Sequence, residues 1–302
     1  MPQSPLNYTG GKFKLLPQIL PLFPQNVHTF VDLFCGGGDV GANVQSQSVL
    51  FNDKDPNVIG ILRAFNQLPK EETLHIIRET IEHYRLSDTS VNDYAYYGCN
   101  SAEGVGSYNR EPFMRLREDF NQLERRDHRY YILLYVLVVY SFNNQIRFNR
   151  NGQFNLPVGK RDFNRKMQAK LDAFIDRLQE MDSIFSNVDF RALQLNQFGS
   201  DDFIYADPPY LITCATYNEQ GGWTEKLERA LYNYLNNLHA HGGRFALSNV
   251  LTSKGKTNSI LQEWLTANPQ YTCHHLHYDY SNSSYQTNDR VNGSDEVLIT
   301  NY

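Results

Sequence analysis

Cysteine is scarce in this chain and never closely paired. The 302 residues include four, Cys35, Cys99, Cys214 and Cys273, and none forms a C-x-x-C pair. That spacing suggests neither a zinc site nor a disulfide framework, so no metal is expected. It fits a reducing, cytoplasmic setting. Runs long enough to cross a bilayer are also missing. The apolar stretch YYILLYVLVVY (Tyr130–Tyr140) falls well short of the roughly 20 residues a membrane helix needs, so it is expected to be a buried helix and no membrane partner is expected. No charged-then-apolar signal pattern opens the chain. Positive charge is in deficit, with 28 Lys and Arg against 33 Asp and Glu, which argues against indiscriminate attraction to nucleic acid.

The distribution of charge says more than its total. Arg147, Arg150, Lys160, Arg161, Arg165, Lys166 and Lys170 cluster with one acid, Asp162, between the first and last of them. A basic strip on an acidic protein is either a solvated face or a phosphate footprint. Hydrophobic residues make up 41% of the chain, enough core for one large domain or two smaller ones. There is no internal repeat.

Two kinds of local pattern alternate along the chain. TFVDLF reads as a buried strand, Gly36-Gly37-Gly38 as a tight turn into a helix, and SVLFND as a second strand ending in an acid. Strand, glycine turn, helix, strand and acid open a nucleotide-binding α/β unit. From about Pro56 to Ser186 the pattern is mostly helical. It is broken by a polar loop over Asn92–Pro112 and by the Asn- and Gly-rich Ser141–Phe163, where RNGQF signals a hairpin turn. Strands then return at FIYADPPY, RFALSNV and EVLITNY, with helices expected over Thr224–His241 and Ile260–Ala267.

FIYADPPY ends in an unusual way. Pro208 and Pro209 cannot donate to a sheet ladder, so the strand must stop there and leave Asp207 at its carboxyl end. Open α/β sheets bind ligands at such ends. An isolated Asp-Pro turn is the plain alternative. Here the motif follows NYTGGK (Asn7–Lys12), DLFCGGG and NDKD (Asn52–Asp55), in that order.

In this order the four motifs closely resemble the Dam-type, class D12 DNA adenine-N6 methyltransferases, especially the bacteriophage members. The stretches YLITCATYN, SNVL and the terminal DEVLI extend the resemblance over nearly the whole chain. It implies an α/β, Rossmann-like S-adenosylmethionine-dependent methyltransferase fold. Residues 1–57 and 187–302 would form the catalytic domain. Residues 58–186 would be an inserted, mainly helical recognition domain with a β-hairpin. The implied activity is methyl transfer from S-adenosylmethionine to a flipped adenine in double-stranded DNA, within GATC. A cytosine-N4 methyltransferase and a catalytically silent DNA-binding protein are the alternatives.

The resemblance also assigns residues. Asp207 and the carbonyl of Pro208, stiffened by Pro209, would accept the two hydrogens of the adenine amine, and Tyr210 would offer a stacking face. Gly36 and Gly38 would let the backbone approach the cofactor. Asp53 suits the ribose hydroxyls. Asp32 would meet the cofactor's ammonium or cap the next helix. Phe34 would line the cavity, and Phe190 would lie against the cofactor adenine or in the core. Tyr8 and Lys12 match the N-terminal cofactor and target motif. In the hairpin Arg147 would hold a guanine. Phe142 and Asn143 would sit near the gap left by the flipped base, with Asn149 also facing DNA. Pro157 would pack near the base after the adenine, and Lys160 and Arg161 would hold phosphates. Gln145 stands where the family usually carries a large apolar residue against a thymine methyl, and the loop Asn92–Pro112 has no clear family counterpart.

Overall fold

The computed structural model describes residues 1–8, 10–213, 222–277 and 294–302. The ATYN part of YLITCATYN, with Cys214, and Thr9 of NYTGGK lie outside the described residues. The chain forms two compact units. One comprises Lys12–Cys35, Asn43–Lys54 and Ser186–Tyr302; the other comprises Met1–Gly11, Gly36–Ala42 and Asp55–Phe185.

The first unit is built on a central, mostly parallel sheet. In chain order its strands include β1 (Val27–Asp32), β2 (Ser46–Asn52), β4 (Phe203–Ala206), β5 (Arg244–Ser253), β6 (Lys256–Thr257), β7 (Thr272–Leu276) and β8 (Asp295–Thr300), while β3 (Asp182–Ser186) leads the chain back from the helical unit. They run in the order β2-β1-β4-β5-β8-β7, with the short β6 paired antiparallel to β5 off this path. β2, β1, β4 and β5 are mutually parallel, and β8 is antiparallel to both β5 and β7. β4 is buried along its whole length, as expected for a parallel strand covered on both faces. From β1 the chain steps to β2 on one side, then returns to β4 on the other. Such a reversal of strand order is where open α/β sheets bind ligands, beyond the carboxyl ends of the strands. Asp32 pairs in register with Tyr205, so Asp32 and Asp207 end neighbouring strands. α1 (Leu16–Ile19), α7 (Glu225–Ala240) and α8 (Ser259–Ala267) complete this unit. α7 and α8 start on the side-chain caps Thr224 and Asn258.

The second unit is helical: α2 (Pro56–Gln67), α3 (Lys70–Tyr84), α4 (Gly106–Asn121), α5 (His128–Tyr140) and α6 (Arg165–Glu180). α5 carries the apolar run. It is buried nearly all round and packs against α2, α3 and α4. Its close contact with α2 needs Gly60, where a Cβ would lie 2.1 Å from the Tyr131 ring. Among the described residues no helix is long and apolar enough to cross a membrane.

Two local expectations fail. Between the glycine turn and β2 there is only a 3-10 turn, Gly41–Asn43, because few residues remain and glycine disfavours helix. The polar loop ends earlier than its composition suggests. α4 begins at Gly106 and takes Pro112 into its interior; its buried Phe113, Leu116 and Phe120 supply the tertiary packing that overrides proline's cost.

Candidate functional site

Asp207 follows β4, and its carboxylate is held from two directions. Lys12 Nζ lies 3.0 Å from one oxygen, and the two side chains are only 6% and 17% exposed. The Tyr210 hydroxyl donates to the other oxygen at 2.9 Å. Lys12 Nζ also sits 4.8 Å from the centre of the Tyr210 ring, a cation–π distance. Burial pushes the Asp207 carboxyl above its ordinary value; the charge and hydrogen bond of Lys12, then the Tyr210 hydroxyl, pull against that rise without cancelling it. Burial and the Asp207 charge push the Tyr210 phenol well up, so it stays a donor. Pro208 is buried and Pro209 exposed. Each carboxylate oxygen has lone pairs beyond the one in use, so the arrangement can accept a further N–H.

A second group of sequence-predicted residues gathers around β1 and β2. Asp32 ends β1 and is 1% exposed; Asp53 follows β2 and is 8% exposed. Burial, then the charges of Asp53 and Asp32, drive the Cys35 thiol well above its ordinary value. Both carboxylates therefore lie near the Cys35 thiol. Phe34 and Phe190 pack at 5.5 Å between ring centres. Trp223, which the sequence reading did not single out, lies 5.6 Å from Phe34 and 6.0 Å from Phe190.

Tyr8, Gly36 and Gly38 belong to the helical unit. Gly36 has φ +47°, and a Cβ there would lie 2.7 Å from the Tyr8 ring, so only glycine admits this contact. The neighbouring Asn7 donates to Asn144 Oδ1 at 3.1 Å. Asn143 and Asn144 both take left-handed backbone, φ +57° and +51°.

The Asn- and Gly-rich segment is a hairpin. Phe142 N–H donates to the Pro157 carbonyl and Asn155 N–H to the Arg147 carbonyl. Its tip is an Asn149–Gly152 turn with Gly152 at φ +75°, the three-residue loop that Gly favours. Phe142 is 51% exposed, and Asn143, Arg147, Pro157, Lys160 and Arg161 are exposed too, with Gln145 and Asn149 half-buried. Asn149 Oδ1 caps the turn, accepting from Asn151 and Gln153 N–H. Arg147 donates to the Asn155 side chain at 2.9 Å, and Arg161 donates to the Ser101 carbonyl at 3.4 Å. Sequence reasoning missed the residues that brace this hairpin. Asn121 grips Phe154 through both N–H and carbonyl, and Arg117 holds the Leu156 carbonyl. Asp162, the strip's single acid, is 1% exposed and accepts from Ser87 and Thr89, which leaves the exposed strip cationic. Among the described residues no cluster of His, Cys, Asp and Glu could hold a metal ion.

Comparison with known proteins decides the family. The family described as D12 class N6 adenine-specific DNA methyltransferase matches residues 8–281. The chain belongs to this family. It is 39% identical over 306 residues both to the modification methylase StsI of Streptococcus sanguinis and to the type II methyltransferase M.FokI of Planomicrobium okeanokoites. Each alignment covers 99% of this chain and 43% of that protein. The DNA N-6-adenine-methyltransferase of Escherichia phage P1 is 27% identical over 252 residues, 82% of this chain and 30% of that protein. The chain thus spans under half the length of these curated relatives.

Proposed function

We propose that this chain methylates the N6 amine of an adenine turned out of double-stranded DNA, with S-adenosylmethionine as donor. The observation that carries the reading is Asp207: a nearly buried carboxylate at a sheet's switch point, gripped by Lys12 and Tyr210. When bound, the cofactor supplies a methyl group on a positively charged sulfur. Asp32 and Asp53 would hold its ammonium and ribose, and Phe34 and Phe190 its adenine, with Gly36 and Gly38 giving backbone access.

Asp207 accepts one hydrogen of the amine, and the Pro208 carbonyl accepts the other. Two acceptors draw the lone pair out of the ring and turn a poor nucleophile into a usable one. The carboxylate then stabilises the positive charge that builds on the nitrogen. Tyr210 gains a second task beside its stacking face, since its hydroxyl orients Asp207. Lys12 opposes the rise that burial imposes on the carboxyl and so favours its ionised form.

The target base must leave the duplex to be reached. Phe142 and Asn143, on the exposed turn, would fill the gap. Arg147 would exchange Asn155 for a guanine, and Lys160 and Arg161 would bind phosphates. Pro157 would sit by the base after the adenine, near Gln145, while Asn149 shapes the tip. GATC is the sequence proposed for first test, on the strength of Arg147 and Pro157. A cytoplasmic setting follows from the substrate.

The test is labelled S-adenosylmethionine with duplex DNA, followed by digestion to nucleosides. Label in N6-methyladenine, reduced about a hundredfold or more by Asp207→Asn, is expected. Label in cytosine, or near-normal turnover by the variant, refutes the reading.

A further inference from the structure

Glu228 is a buried acid that the reaction above does not use. It lies in the first turn of α7 with no exposed surface. One oxygen accepts from the Trp223 indole N–H. The other accepts from the Tyr232 hydroxyl at 2.5 Å, Asn249 Nδ2 at 3.0 Å and Asn258 Nδ2 at 3.1 Å. All four partners donate, so both carboxyl oxygens of Glu228 serve as acceptors. Among the described residues no cation pairs with it. A buried carboxyl is unfavourable unless its oxygens are hydrogen-bonded, and here the donors come from α7, β5, the cap of α8 and the segment before α7. One of them, Asn249, belongs to the Ser-Asn-Val-Leu motif of β5. Its neighbour Ser248 shares a 2.7 Å hydrogen bond with Tyr205, two residues before Asp207. The hub therefore ties α7, β5 and the start of α8 to a single tryptophan.

That tryptophan is the third ring of the cluster formed by Phe34 and Phe190. We propose that Glu228 is a positioning residue for cofactor binding: through the indole N–H it fixes Trp223 as part of the aromatic wall that receives the adenine of S-adenosylmethionine. The proposal rests on the reading of Phe34 and Phe190 as cofactor-lining residues.

The chemistry of the hub separates this role from a merely structural one. In Glu228→Gln the amide oxygen can still face Tyr232, Asn249 and Asn258. Its NH2 then confronts the indole N–H, donor against donor, and Trp223 alone loses its anchor. Trp223→Phe keeps a ring but has no N–H to fix.

Cofactor binding is measured by calorimetry on each variant, beside its melting temperature and steady-state kinetics. Glu228→Gln is expected to weaken S-adenosylmethionine binding roughly three- to tenfold, with the loss appearing in KM for the cofactor rather than in kcat. In a Trp264→Phe background, Trp223 is the sole tryptophan, and its emission should shift to the red when Glu228→Gln is added. With Trp223→Phe already present, Glu228→Gln should weaken the cofactor no further. Unchanged cofactor affinity in Glu228→Gln, or an equal loss in the Trp223→Phe background, overturns the proposal. Trp223→Ala, which leaves the other three donors of Glu228 in place, serves if Glu228→Gln does not fold: unchanged affinity there overturns it as well. Phe34→Ala and Phe190→Ala locate a failure. If both bind the cofactor normally, the aromatic-wall reading itself falls and the proposal with it. If they weaken it while the Trp223 and Glu228 variants do not, only the positioning role falls.

Discussion

Replacing Lys12 by methionine should move the acid limb of the candidate site's activity to higher pH. Methionine keeps most of the stem and removes the charge. Lys12 Nζ and the Asp207 carboxylate are 3.0 Å apart, and at an effective dielectric of about 20 their attraction is roughly 5–6 kcal/mol. Burial of the carboxylate offsets much of it, which is why the Asp207 carboxyl remains above its ordinary value even with Lys12 in place. Without Lys12 the burial stands against Tyr210 alone. The variant escapes by holding a proton on Asp207, and a protonated Asp207 cannot take up charge from the amine. An opposite charge this close typically moves a carboxyl by about 1–3 pH units, so the acid limb of kcat should rise by at least about one unit. The assay is kcat against pH at saturating cofactor and DNA.

Stability gives an independent reading of the same group. A carboxyl raised in the folded state binds its proton more readily folded than unfolded, so its contribution to stability falls as pH rises through that interval. The interval extends upward in the variant. Melting temperatures of the two proteins should lie closest in acid and separate towards neutrality. An unmoved acid limb with normal kcat at neutral pH would refute the role given to Lys12.

Three further outcomes test other parts of the structure. Asp53→Ala should weaken S-adenosylmethionine binding by calorimetry and leave duplex affinity nearly intact; unchanged cofactor affinity counts against the ribose role. Gly159→Ala places a Cβ 2.4 Å from the Ser141 carbonyl oxygen at the hairpin base, so duplex affinity should drop with about 1–3 kcal/mol of stability while cofactor binding persists. Gln145 lacks the apolar face that would reject cytosine by lost contact with a methyl, so wild-type discrimination after the adenine should be partial. Gln145→Leu should sharpen it, and Arg147→Ala should relax a guanine position by about 1–3 kcal/mol, both read as methylation rates on duplexes varied one base at a time.

Much of the sheet was legible along the chain because strand periodicity, burial and proline act locally. FIYADPPY had to stop at Asp207, since proline has no N–H to give. The apolar Tyr130–Tyr140 run had to be a helix inside the protein, and Asn-Gly marked the hairpin tip. β3 and β7 escaped notice for the converse reason. β3 buries no residue fully, and β7 buries only Leu276, so neither carries a strong apolar pattern.

By itself the sequence determined which acids end strands, where glycine replaces side chains, and where positive charge collects. These depend on the backbone chemistry of single residues and on periods of two and 3.6. Only the tertiary structure decided how those groups are held. Lys12 reaches Asp207 across nearly two hundred positions, Asn121 grips Phe154, and Glu228 collects donors from β5, α8 and Trp223. Such contacts leave no periodic trace, because a side chain's partner is set by which elements pack together, and packing is chosen by the whole core at once.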